Sequence, residues 1–197
     1  PWSSSEALEV PPNPACDALC SAMIEGRGTV VIHAAREAII GFVTDLERYK
    51  QADWKIGRVY ETSRRADGAF YMRHGGKLRG IPGPSVALLM TIDDGGAHYR
   101  SAGTGLARWF LTFDGGFDLV ALPGGGGFEV THIERFRFSR PWRWIAEPFL
   151  RRWLQADVEA EMFRLKQLIE AEQRRSLAST VDRVYRLDVA RSLYEYY

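Results

Sequence analysis

The chain has 197 residues, 46% apolar, 26% charged and 12% aromatic, which excludes a disordered or fibrous protein and is enough for one well-filled core. Its 26 Lys plus Arg against 25 Asp plus Glu leave a formal net charge of +1, so no global field draws it to a polyanion and nucleic acid is not an expected partner. Of the basic residues 22 are Arg, scattered along the chain as genomic composition would scatter them. No run approaches the roughly 18 apolar residues of a spanning helix, and residues 1–27 lack the basic start and apolar core of a leader. A soluble, cytoplasmic protein is the expectation, and a leader removed before Pro1 stays an open question.

Residues 1–27, with Ser3 to Ser5, Pro11, Pro12 and Pro14, read as a loose N-terminal extension ending in a short helix over 17–25. Within it Cys16 and Cys20 lack companion ligands at metal spacing and read as ordinary thiols; no metal and no cofactor are expected. From Gly28 a β-rich run over 29–33 gives way to helical spacing over 34–43. Thr44-Asp-Leu-Glu47 fits a capping box opening a second short helix through Lys50. Asp45, Tyr49 and Asp53, at steps of four, read as capping and surface solvation.

Six strand candidates follow, over 56–64, 70–78, 85–92, 98–102, 109–122 and 128–138, separated by Gly-rich and Pro-rich turns. Among these, Pro123 to Gly127 has no phosphate-loop Lys-Ser/Thr and reads as a hairpin. Consecutive strands with short turns predict an antiparallel meander. The next element is an amphipathic helix over 148–175 with Pro148 in its first turn, whose stripe carries Leu150, Leu154, Val158, Met162, Leu165, Leu168 and Ile169, with Trp153 at one edge. Residues 176–197 form a C-terminal helical extension. A helix over 178–195 is expected to cover a second apolar strip of Phe149, Ala156 and Phe163, in the same chain or by exchange with a partner subunit, so that monomer and homodimer both stay open.

Alternation gives Phe70, Met72 and His74 a common strand face, and likewise Trp109, Leu111 and Phe113. On the last strand Val130, His132, Glu134, Phe136 and Phe138 do the same. His132 and Glu134 lie about 7 Å apart on this apolar face. Desolvation there would raise the Glu pKa and suit the pair to proton transfer beside a ketone; a structural hydrogen bond or a bulge turning both to solvent is the alternative. Between Arg135 and Arg152 six Arg face only Glu147, with Trp142 and Trp144 between them. Trp142, Arg143 and Trp144 read as an Arg-rich rim, with a transient contact to an anionic membrane surface or stacking on single-stranded nucleic acid as further readings.

Phe42-Val-Thr-Asp45-Leu-Glu-Arg-Tyr49, Phe113-Asp-Gly-Gly-Phe117, Pro141-Trp-Arg-Trp144, Glu147-Pro148 and Glu161-Met-Phe-Arg-Leu165 resemble words of the START-like superfamily, the polyketide cyclase/dehydrase or SRPBCC group. The resemblance spans residues 28–172 and departs from the group at Ala34-Ala35, where relatives often have Ala-Pro. It implies an α+β helix-grip fold over 28–175: a curved antiparallel sheet of about seven strands wrapped on a long C-terminal helix, with two short helices after strand one. It also implies a hydrophobic cavity between sheet and helix for a lipid, sterol, quinone or polyketide. Phe70, Met72, His74, Trp109, Leu111, Phe113, Val130, His132, Glu134, Trp153, Leu154, Val158 and Met162 are its candidate lining. The alternatives are a dry interlocked core and a polyketide cyclase or aromatase using His132 and Glu134.

Overall fold

A computed structural model describes residues 23–102 and 111–194, with the side chains of 140–143, 145–146 and 181–194 left out. The chain runs β1 (Met23–Ile32), α1 (Arg36–Thr44), α2 (Leu46–Tyr49), β2 (Ile56–Arg64), β3 (Phe70–Leu78), β4 (Ile81–Asp93), β5 (Gly96–Ser101), β6 (Leu111–Ala121), β7 (Phe128–Phe138) and α3 (Arg140–Tyr194). The strands form one sheet in the order β1-β7-β6-β5-β4-β3-β2, every pair antiparallel. This is the α+β arrangement of a meander closed by a long helix, with β1 inserted beside the last strand.

The helix lies over β1 and β7 because β1 is built to let it in. Ile24 to Thr29 alternates, with Ile24, Gly26 and Gly28 facing inward and Glu25, Arg27 and Thr29 outward. A Cβ at Gly26 would fall 2.9 Å from the Leu154 carbonyl oxygen and from Val158 Cγ2, and one at Gly28 would fall 2.9 Å from Met162 Cγ. The missing side chains thus set how closely α3 approaches the sheet. For this reason β1 starts at Met23 and not near Thr29. Residues 23–25, expected to end a short helix, are strand paired to β7, and the rest of that expected helix, with both cysteines, lies outside the described residues.

Two local expectations are corrected. The cap of α2 is Asp45, which accepts from the Glu47 and Arg48 amides at 3.1 and 3.2 Å, whereas the Thr44 hydroxyl donates back to the Ile40 carbonyl at 2.8 Å. The closing helix is one continuous element from Arg140 to Tyr194, 55 residues or about 80 Å long. Pro148 therefore lies inside it, where its missing N–H leaves the Trp144 carbonyl without an intrahelical donor. Because the helix does not break near residue 176, the C-terminal stretch cannot fold back on its own strip; Phe149 and Phe163 stay 70% and 57% exposed. Among the described residues no helix is long and apolar enough to cross a membrane.

The interior divides into two apolar clusters. One joins α1 and α2 to Met72, Leu88, Met90, Phe117, Val130, Met162, Leu165 and Ile169. The other joins Ile24 and Phe136 to Leu150, Leu154 and Val158, with Leu78, Leu111, Phe113, Phe138 and Trp153 half-buried around it. Phe113 touches both.

Candidate functional site

The structure places the residues expected to line a cavity as follows. Met72, His74, Val130, His132, Glu134, Leu154, Val158 and Met162 are buried on the inner side, and Phe70, Leu111, Phe113 and Trp153 are half-buried. Trp109 lies outside the described residues, as do the side chains of Trp142 and Arg143. Trp144 is 84% exposed and, with Glu147, Pro148 and Arg151, borders a surface cleft of about 230 Å³ on the first turns of α3. No bulge turns His132 and Glu134 outward, since β7 pairs without a register shift along both neighbours.

Between the two apolar clusters lies a buried polar network whose hub is Lys55, at the entry to β2. Its Nζ is 2.7 Å from Glu161, 2.8 Å from Asp157, 3.0 Å from Asp53 and 3.2 Å from Glu134. Glu161, fully buried on α3, also accepts from the Tyr49 hydroxyl and lies 3.0 Å from His132 Nδ1, an ion contact out of line for a hydrogen bond. His132 Nε2 is 3.0 Å from the Tyr99 hydroxyl. Its ring is stacked on Phe117, with centroids 4.2 Å apart. The oxygens of Asp53, Asp157 and Glu161 come within 4.8 Å of one another, as metal ligands would, but the Lys55 ammonium already lies among them.

Four carboxylates around one lysine and one histidine cannot all ionise without leaving buried negative charge, and the protonation equilibria shift to avoid that. Burial pushes Glu134 up to about 7, against the pull of Lys55 and with the help of Asp53 and Glu161. Burial likewise raises Asp53 to about 6, again opposed by Lys55. Glu161 goes the other way: burial opposes its charge, but Lys55 and His132 hold it well below the usual carboxylate range. Burial would lower His132, yet the Glu161 and Glu134 charges raise it overall. Burial would lower Lys55 too, and its carboxylate neighbours hold it well above its ordinary value. His74, whose Nδ1 lies 3.0 Å from the Gly75 carbonyl, is pulled down by burial.

Of the network, the sequence reading had singled out only His132 and Glu134 as chemistry. Tyr49 and Asp53, read as surface residues, are buried members, and Lys55, Tyr99, Asp157 and Glu161 were missed. Glu161 carried a readable signal, because 154, 158, 161, 165 and 168 share the apolar stripe of α3 and a carboxylate there needs a buried partner. Tyr99 did not: it reaches across β6 to β7 only because its pairing partner is Gly115.

Solved structures of the same architecture include a protein from Thermus thermophilus at 20% identity and TM-score 0.58, covering 75% of this chain and 98% of that one. A START superfamily protein from Mycobacterium smegmatis matches at 18% identity and TM-score 0.57, with 75% and 98% covered. The Zhui aromatase/cyclase from Streptomyces sp. R1128 matches at 15% and 0.59, with 79% and 96% covered. The fold is the START-like helix grip. At these identities the likeness establishes the START-like fold alone. No protein-family model matches the sequence, and no curated protein is a significant match.

Proposed function

We propose that this START-like domain binds one hydrophobic small molecule, of the lipid, sterol, quinone or polyketide kind, between the sheet and α3. The observation that supports this reading is that the inner face is incompletely covered at one end. Leu78, Leu111, Phe113, Phe138 and Trp153, all packed against the second cluster, remain half-buried at the end of the sheet where β6 begins and β7 ends. Large apolar side chains facing inward yet incompletely covered are what an apolar ligand would cover. The buried Lys55 network beside them supplies a few convergent polar groups.

Two measurements test this. Native mass spectrometry of the purified chain should show a retained small molecule at one per protein. The apolar dye N-phenyl-1-naphthylamine should bind the emptied protein at the same stoichiometry and lose affinity in Trp153→Glu. A dye that binds Trp153→Glu as well as it binds the parent protein would count against the reading.

A second reading, a polyketide cyclase or aromatase, is favoured by one feature: Glu134 exchanges its proton near neutral pH within the same network as His132. Such a pair can remove a proton beside a ketone and return it to the new alkoxide, the exchange an aldol cyclisation needs. Turnover of a poly-β-ketone that is lost in both Glu134→Gln and His132→Gln would favour the enzyme, and binding without turnover would favour the carrier.

A further inference from the structure

Opposite the stripe that packs on the sheet, α3 carries a second line of mostly small and apolar residues. Phe149, Ala156, Ala160, Phe163 and Gln167 fall within about 60° of helical arc, and all five are exposed. The same periodicity carries the line on, within that arc, through Arg174, Ala178, Val181 and Tyr185. From Arg174 to Thr180 every residue is exposed, so the helix has left the sheet there, and it continues to Tyr194. A helical arm of about 20 residues is marginal in water unless its apolar side is packed. The arm cannot pack on its own strip, because a continuous helix holds residues 163 and 178 about 22 Å apart.

The order of sizes along the line fits a second copy of itself run in the opposite direction. With the crossing point between Glu170 and Ala171, Phe163 falls opposite the partner's Ala178, Ala160 opposite the partner's Val181 and Ala156 opposite the partner's Tyr185. Each large residue thus meets a small one, the alternation that lets two helices interdigitate closely. Near the centre Arg174 meets the partner's Gln167, whose amide oxygen can accept from the guanidinium. A parallel pair would instead set Arg174 against its own copy, a like-charge contact. Leu154, Val158 and Leu165 bind the sheet on the far side of the helix, so the two domains stay outside the pair and at opposite ends of it.

We propose that the chain forms an antiparallel, two-fold symmetric homodimer in which the C-terminal part of each α3 covers Ala156, Ala160 and Phe163 of the other. The contact runs from residue 156 to residue 185, about 44 Å along each helix. Phe163, 57% exposed in the single chain, is its anchor.

Light scattering of the full chain at about 100 μM should give twice the mass of one chain. Phe163→Ala and Ala178→Phe should each weaken association about 100-fold, since the symmetry axis repeats the defect, and their combination should restore it by exchanging large for small. Disulfide trapping reads the direction. In a chain carrying Cys16→Ser and Cys20→Ser, Ala160→Cys and Val181→Cys together should give a covalent dimer on oxidation, and either alone should not. A monomer at this concentration, a dimer untouched by Phe163→Ala, a combination that restores nothing, or trapping by either cysteine substitution alone overturns the proposal.

Discussion

Phe117 and His132 face each other across paired strands, and their rings lie flat together, 4.2 Å between centroids and 11° between planes. The buried imidazole so stacked has Nδ1 3.0 Å from Glu161 and Nε2 3.0 Å from the Tyr99 hydroxyl. Phe117→Ala should cost about 3–5 kcal/mol in urea unfolding, as truncating a fully buried aromatic does. A loss under about 1 kcal/mol would mean that the ring is not packed as described.

Lys55 holds the network together as its central cation. Removing one partner of a buried charge cluster leaves the others uncompensated, so Lys55→Met should destabilise by about 3–5 kcal/mol. Adding Glu161→Gln to Lys55→Met should recover part of the loss, because one orphaned carboxylate is then gone. Additive losses in the double mutant would show that the two side chains do not interact.

The same network sets a pH dependence opposite to ordinary acid denaturation. Asp53 rises from 3.8 to about 6 and Glu134 from 4.5 to about 7 on folding, so their contributions are complete below the lower values and lost as pH climbs through the higher ones. His132, raised above 6.5, adds in the same direction. Glu161, depressed, contributes above 4.5 and loses its contribution only at strongly acid pH. The melting temperature should therefore fall by more than about 5 °C between about pH 5 and about pH 8, and Glu134→Gln should flatten that slope. A melting temperature that rises over this interval would contradict the assignment.

Two glycines separate close approach from mere permissiveness. Gly26→Val would drive a side chain into the Leu154 carbonyl and Val158, at a cost of about 1–3 kcal/mol. Gly41, inside α1 with nothing within 4 Å of a Cβ, should gain about 0.5–1 kcal/mol on Gly41→Ala. Thermal unfolding of the two variants in parallel checks both signs.

The sheet was legible because period-two alternation in β2, β3 and β7 is bounded by clear turn residues, and those three strands have the limits their sequences suggest. The start of β1 was not, since Gly26 and Gly28 look like breakers until α3 is seen packed against them. The helix continues past Arg175 because residues 176–194 hold no glycine or proline to stop it, which the expectation of a separate covering helix overlooked. In the site, a strand face revealed His132 and Glu134, but Lys55 and Tyr99 join them through contacts between distant segments that no local spacing encodes. Tyr49 and Asp53 were misread because helical spacing identifies a shared face without saying whether that face meets water or Lys55.

Photolabelling with 4-methylbenzophenone, an apolar aromatic ketone, tests the central claim most directly. Irradiation of the full chain followed by peptide mass spectrometry should place the label on the inner-face residues Leu111, Phe113, Phe138 or Trp153, at no more than one label per chain, and a saturating excess of 2-acetylnaphthalene should suppress it. Labels confined to the exposed outer residues Phe149, Phe163 and Trp144, unaffected by that competitor, would contradict a binding site between the sheet and α3.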